Sequence, residues 1–123
     1  MFKKTLFAFA VLATMTSSAL AQERTERRGQ SEFQCVQSVK ALCNNGTWIP
    51  VFVKGYVENN QVRYDTVFEK LEGLAWQHRI GMNDTFFEQY NRDFTDSGFT
   101  LVSRDRYLVG NEYRNAAIWH KRN

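Results

Sequence analysis

The sequence predicts an α+β fold in which two tandem repeats, each a helix followed by an antiparallel β-meander, pack together as one small domain. The first observation is a duplication, because the segment Tyr56–Arg63 recurs 51 positions later as Tyr107–Arg114. The second is that each copy places apolar residues at helical spacing ahead of two strand-like runs joined by a short turn. A repeat of this length is one supersecondary unit, which buries its apolar face by stacking on its neighbour.

Residues 1–21 have the features of a secretory signal peptide. Lys3 and Lys4 precede an apolar run, and Ala19 and Ala21 form a small-x-small cleavage site. We predict cleavage after Ala21 and a secreted or periplasmic protein. The apolar run is too short for a membrane span, and no other stretch approaches the ~20 apolar residues that a spanning helix needs.

Cleavage leaves 102 residues, which carry 14 Lys and Arg against 13 Asp and Glu. Because this chain has no concentrated basic face, nucleic-acid binding is not expected. Residues 22–30 are almost entirely polar, so we expect them to form a polar N-terminal segment outside the repeats. About a hundred residues can fold alone as one small domain.

The first predicted element is a helix over Phe33–Cys43, which contains both cysteines of the chain, Cys35 and Cys43. Export favours a disulfide. However, eight helical steps separate the two Cα atoms by about 12 Å, and a disulfide needs about 7 Å or less. Two alternatives stay open: the helix ends early and the thiols are bonded, or both are core thiols that match Phe86 and Phe94 of the second copy.

Each helix is followed by a predicted hairpin. The turns Asn59-Asn60 and Gly110-Asn111 tolerate positive φ, which is typical of two-residue hairpin loops. The second helix begins at the cap Asn83-Asp84 and ends before Gly98. The expected hairpin strands are Trp48–Val57 with Val62–Lys70, and Phe99–Leu108 with Tyr113–Lys121.

Alternation of apolar residues over Gly73–Ile80 predicts a third strand, which we assign to the first hairpin. Repeat 1 is then residues 31–80 and repeat 2 is residues 81–123, without its final strand. An open sheet edge would follow Lys121, to be filled by the mature N-terminus or by a second protomer in a homo-oligomer.

The two-residue turns fix the strand register. They set Tyr56 opposite Arg63, Tyr107 opposite Arg114, and Lys54 opposite Asp65. The Tyr–Arg pairs have two interpretations, since an arginine over an aromatic face can brace a hairpin, while the same pair can also bind a sugar, a peptide or a carboxylate. Trp76 is a further candidate for the binding surface.

Several motifs then resemble one family. Trp76–Met82, the helix that follows, the hairpin residues Tyr107–Gly110 and the segment Arg114–Trp119 are similar to a unit of the bacterial tandem repeat domain, with its W-x-x-R-H-G-M and R-Y-A-A-I-W elements. Repeats of this family also precede the catalytic domain of fungal polyglycine hydrolases. The chemistry of those enzymes belongs to a β-lactamase-like domain, and no Ser-x-x-Lys motif occurs in the mature sequence. The resemblance therefore implies a repeat scaffold without that activity.

The chain departs from the family pattern at a few positions. Ile80 replaces a usual histidine, Asn115 replaces a usual tyrosine, and Arg104-Asp105-Arg106 replaces Val-Ser-Gly. The first copy also has Thr25–Arg28 in place of the W-x-x-R-H-G-M element.

Catalytic patterns are sparse in this sequence. His78 and His120 are the only side chains with an ordinary pKa suited to general base chemistry at neutral pH, and neither lies in a nucleophile motif or at metal-ligand spacing. No glycine-rich phosphate loop is present, so no cofactor is expected. A small secreted hydrolase or metal-dependent enzyme using the two histidines is the alternative.

We therefore expect an exported, non-catalytic binding or interaction module whose ligand is an envelope polymer, a glycan or a protein. The expected contact residues are Tyr56, Arg63, Trp76, Tyr107 and Arg114. A self-assembling structural protein that uses the open sheet edge is a further alternative.

Overall fold

A computed structural model describes residues 23–123 of the chain, so the predicted signal peptide lies outside the described residues. The described elements are β1 (Arg24–Gln30), α1 (Glu32–Cys43), β2 (Trp48–Glu58), β3 (Gln61–Lys70), β4 (Leu74–Met82), α2 (Asp84–Asp96), β5 (Thr100–Val109) and β6 (Glu112–Arg122). They form two antiparallel three-stranded sheets, ordered β1-β3-β2 and β4-β6-β5. The predicted class, α+β with two tandem repeats in one small domain, is confirmed.

Each repeat is a strand, a helix and a hairpin, in that order. The predicted division at residue 80 is wrong, because β4 pairs with β6 of the second hairpin and not with the first hairpin. Repeat 2 therefore has its third strand. The alternation of apolar residues predicted that this segment is a strand, but it did not indicate which hairpin the strand joins.

The polar segment before the first helix also belongs to a repeat. Residues Arg24–Gln30 form β1 and pair with β3, so the expectation of a separate polar segment over 22–30 is wrong. An edge strand is held by backbone hydrogen bonds and needs no apolar side chain on its exposed face. Its burial alternates accordingly along most of its length.

Both helices begin at a side-chain cap. The Ser31 hydroxyl accepts from the backbone N–H of Gln34, and the Asn83 side chain accepts from that of Phe86. The two caps lie 52 positions apart, one more than the hairpin residues, so Cys35 corresponds to Phe87 and not to Phe86 as expected. Both Cys35 and Phe87 are buried under their helices, whereas Phe86 is exposed.

The hairpins have the predicted registers. Tyr56 pairs with Arg63, Lys54 with Asp65, and Tyr107 with Arg114. Asn59 and Asn60 adopt φ of 53° and 63°, as a two-residue turn with two left-handed positions requires.

The two repeats pack through one face of the second sheet. The side of that sheet facing away from α2 contributes Tyr107, Ala116 and Ile118 to a core shared with Cys35 and Val53 of repeat 1. All five side chains are at most 6% exposed, so the repeats share one apolar core.

The predicted open edge after Lys121 is not present. β6 is the central strand of its sheet, with β4 on one side and β5 on the other. The backbone N–H of Asn123 also donates to the carbonyl of Gly73, 2.8 Å away. Among residues 23–123, no helix has the length and apolar character that a membrane crossing requires.

Candidate functional site

A cleft of about 490 Å³ lies between α1 of repeat 1 and β4 of repeat 2. It is large enough for a short peptide or a small ligand, since ligand pockets span roughly 300 to 1,000 Å³. Its lining residues are Glu32, Val36, Val39, Lys40, Trp76, Gln77, His78, Arg79 and Ile80.

The helix wall of the cleft is one stripe of α1. Glu32, Val36, Val39 and Lys40 follow helical spacing and therefore lie on one face. Val39 is 2% exposed and packs with Cys43 and Phe68 in the core, while Glu32 and Lys40 are exposed. This wall is apolar in the middle and carries opposite charges at its two ends.

The opposite wall is an edge strand. β4 lies at the end of the order β4-β6-β5, so its outer side has no strand partner among the described residues. Arg79 covers part of this edge, because its Nη1 donates to the carbonyl of His78 at 2.8 Å. Its guanidinium also lies 5.1 Å from the ring centre of Tyr90. Trp76 is half-buried at the same wall and offers an aromatic surface.

A buried polar group forms the floor. Nε2 of His78 lies 3.9 Å from Sγ of Cys35, and that sulfur lies 3.5 Å from Oγ1 of Thr66. Burial, with a smaller effect of the nearby Arg79 charge, lowers the pKa of His78 to about 4. Burial also raises the pKa of the Cys35 thiol. At neutral pH the pair is therefore a neutral imidazole beside a protonated thiol, which is a poor nucleophile.

A family model for a polyglycine hydrolase-like structural repeat matches the chain twice, over residues 21–71 and 73–122. The chain belongs to this family. The two matches meet at the turn between β3 and β4, so each polyglycine hydrolase-like repeat is one strand, one helix and one hairpin. The resemblance to a tandem repeat family is thereby confirmed. Neither a curated protein nor a solved structure matches the chain significantly.

Within these polyglycine hydrolase-like repeats, Tyr56 and Tyr107 occupy matching positions but different environments. The Tyr56 hydroxyl lies on the outer face of the first sheet and donates to Oδ1 of Asp65 at 2.8 Å. Tyr107 is 6% exposed, its hydroxyl lies 2.5 Å from that of Tyr64, and it accepts from the backbone N–H of Gly81 at 3.2 Å. Tyr107 is thus a contact between the repeats.

The two arginines that were expected to contact a ligand, Arg63 and Arg114, lie in different surroundings. Arg63 donates to the side chain of Gln61, and the cation over the Tyr56 ring is Lys54, at 5.8 Å. Arg114 borders a polar depression near the start of α2, together with Asn83 and Glu112. Of the five expected contact residues, only Trp76 lies in the cleft. Cross-strand register sets which Cα atoms are neighbours, but it does not set where long side chains reach.

The two histidines have different partners. Nε2 of His120 lies 2.8 Å from the carbonyl oxygen of Pro50, whereas His78 contacts Cys35. In the part of the chain that the structure describes, no three His, Cys, Asp or Glu side chains are grouped to hold a metal ion. Cys35 and Cys43 are buried free thiols, as in the second of the two alternatives for the cysteines.

The helix side of the cleft was missing from the sequence-based site. These side chains could have been found from the sequence, because Glu32, Val36 and Lys40 follow helical spacing on one side of the core residue Val39. Their partner strand belongs to the other repeat, and that assignment depends on the stacking of the two units.

Proposed function

We propose that this protein is an exported, non-catalytic interaction module that binds an extended polypeptide segment in the cleft between α1 and β4. The observation that carries the proposal is the free edge of β4 beside a partly apolar helix face. An edge strand presents unpaired N–H and C=O groups. An extended peptide can pair with such groups as an added strand, while its side chains occupy neighbouring pockets.

The walls suit such a ligand. Trp76, Ile80 and Val36 offer apolar surface to alternate side chains of the added strand. Glu32 and Lys40 lie eight residues apart on α1 and are therefore separated by about 12 Å along its axis. Their opposite charges would favour one direction of the bound segment over the other.

The polar floor supports binding without catalysis. His78 is only 8% exposed and has a lowered pKa, and Cys35 is fully buried with a raised one. Neither group is prepared to attack a substrate or to transfer a proton near neutral pH. Mainly apolar walls with a few polar groups at fixed positions are typical of a binding cleft.

The test is a titration of the mature protein with peptides, followed by tryptophan fluorescence and calorimetry. The family description names polyglycine hydrolases, so a glycine-rich peptide is the first probe, with a valine- and threonine-rich peptide, peptidoglycan fragments and glycans as the other arms. We expect peptide binding that Trp76→Ala weakens at least several-fold. Tyr56→Phe, on the outer face of the first sheet, is the matched control and should bind like the wild type. Equal weakening by both variants, or binding of glycans but no peptide, would contradict the proposal.

A further inference from the structure

Three residues of the first hairpin, Val53, Gly55 and Tyr64, contact side chains of β5 in repeat 2. The backbone N–H of Val53 donates to Oγ of Ser103 at 3.2 Å, and that of Gly55 donates to Oδ2 of Asp105 at 2.8 Å. A Cβ atom at Gly55 would lie 2.6 Å from Cε1 of Tyr107. The second repeat therefore inserts a tyrosine into a space that only a glycine leaves open.

The strand registers identify the matching positions in repeat 2. Gly55 pairs with Tyr64 in the first hairpin, and Arg106 pairs with Asn115 in the second. Val53 pairs with Thr66, and Arg104 with Ala117. In repeat 2, Val53, Gly55 and Tyr64 are thus replaced by Arg104, Arg106 and Asn115.

The replacements are joined in one polar network. Arg104 donates to Oδ1 of Asn115 from Nε and Nη2, at 3.2 and 3.0 Å. Asn115 donates to the carboxylate of Asp84 at 2.9 Å, and Arg106 donates to the same carboxylate at 2.9 and 3.1 Å. These hydrogen bonds, with that of Arg106 the strongest influence, hold the pKa of Asp84 well below its usual range.

Both guanidinium groups also lie over aromatic rings. Arg104 is 3.9 Å from the ring centre of Phe87, and Arg106 is 3.7 Å from that of Tyr113. Phe87 corresponds to Cys35, which repeat 2 covers in the first repeat. In repeat 1, Cys35 is covered by the neighbouring repeat. In repeat 2, the corresponding residue Phe87 is covered by Arg104 of the same repeat.

We propose that Arg104, Arg106, Asn115 and Asp84 form a terminal cap that prevents a further repeat, from this chain or from a second copy, from stacking on β5. Arg106 fills the space that the tyrosine of an incoming repeat would need. A stack of repeats needs a polar outer face on its last unit, because an uncovered stacking surface associates with other chains. The cap does not depend on the cleft between α1 and β4.

The opposite end of the stack is closed in a similar way. The outer face of the first sheet corresponds to the face by which the second sheet packs on repeat 1, with Tyr56 matching Tyr107 and Asp65 matching Ala116. Asp65 accepts from the Tyr56 hydroxyl and from the backbone N–H of Gly29, each at 2.8 Å. Tyr56, which corresponds to the inserting tyrosine of repeat 2, is therefore hydrogen-bonded to Asp65 of its own repeat.

The test gives repeat 2 the residues with which repeat 1 receives its neighbour, and it removes the hydrogen bond that holds Tyr56 to Asp65. The variant Arg104→Val/Arg106→Gly/Asn115→Tyr/Asp65→Ala is compared with the wild type by light scattering from micromolar to millimolar protein, after circular dichroism has confirmed its folding. We expect a monomer for the wild type and a mass that at least doubles with concentration for the variant. The same variant with Arg106 retained is the control and should stay monomeric, because the arginine still fills the tyrosine space.

A second variant tests the proposal independently if the first variant does not fold. Arg106→Gly/Asp65→Ala only removes side-chain atoms and should show weaker association of the same kind. The proposal is overturned if either variant folds and stays monomeric at millimolar concentration. It is also overturned if the wild type self-associates and its β5 amides gain protection from hydrogen exchange on association.

Discussion

The ring of Tyr107 lies against the backbone of Gly55, and the contact joins the two repeats. A Cβ atom at position 55 would lie within 2.6 to 2.8 Å of three ring atoms. Gly55 has no positive φ, so its role is steric: it lets an aromatic ring approach the strand. The opposite side of this strand carries Lys54 and Tyr56, which face solvent or lie half-buried.

We expect Gly55→Ala to lower the free energy of unfolding by about 1 to 3 kcal/mol, the usual effect of overpacking a filled core. Denaturant unfolding measures this change. The control is the double variant Gly55→Ala/Tyr107→Ala, in which the added methyl group has room. The two effects should be less than additive, and strict additivity would show that the ring does not limit position 55.

Matching tyrosines should differ in their contribution to stability. Tyr107→Phe removes a buried hydroxyl that contacts Tyr64 and the N–H of Gly81, and we expect a loss of about 1 to 3 kcal/mol because buried partners stay unsatisfied. Tyr56→Phe should lower stability by no more than about 1 kcal/mol, since Asp65 keeps its bond from Gly29 and reaches water. Thermal unfolding of both variants is the measurement, and equal losses would contradict the different roles.

Stability should fall in mildly acidic solution because of His78. Its pKa is lowered from 6.5 to about 4 in the folded protein, so the unfolded chain binds a proton first as the pH falls. The neutral imidazole therefore stabilises the fold fully above pH 6.5, and this contribution is lost as the pH falls to about 4. The loss amounts to about 3 kcal/mol.

The free energy of unfolding is measured between pH 7 and 4. The control is His78→Gln, which fills similar space but does not titrate. Its free energy of unfolding should change less than that of the wild type between pH 7 and 4. Asp84 affects a lower range, because its stabilising charge is lost only below the ordinary pKa of 3.8. Identical pH dependence in the variant and the wild type would rule out His78 as the cause.

The two thiols should be unreactive in the folded protein. Cys35 is fully buried and Cys43 is 4% exposed, and burial raises the pKa of Cys43 to about 12. Labelling by a soluble thiol reagent should therefore follow unfolding, with two equivalents per chain, and a reductant should leave the melting temperature unchanged. A melting temperature that falls on reduction would indicate a disulfide.

The hairpins could be predicted because their determinants are local. Asn59-Asn60 fixes the turn, the turn fixes the register, and the register sets Tyr56 opposite Arg63. The second helix could be predicted for the same reason, from the cap Asn83 and from the apolar spacing around Phe87. Duplication then implied that the two units stack.

The remaining features depend on contacts between units. The sequence of Trp76–Met82 alone does not indicate whether this strand pairs with the first hairpin or with the second. The functions of Tyr56 and Tyr107 diverge because Asp65 lies near one and Gly55 near the other. Arg104-Asp105-Arg106 was visible as a departure from the family pattern, but its partner Asp84 lies 22 positions from Arg106 in sequence.

Amide hydrogen exchange of the protein with and without a bound extended peptide tests the central proposal most directly. β1 and β4 are matching edge strands, and each has an arginine over a backbone carbonyl, Arg27 on Glu26 and Arg79 on His78. Only β4 faces α1 across the cleft. We predict that the peptide protects amides within Leu74–Met82 and leaves those of Arg24–Gln30 unchanged. Protection of β1 instead, or of the hairpin turns alone, would contradict strand addition at β4.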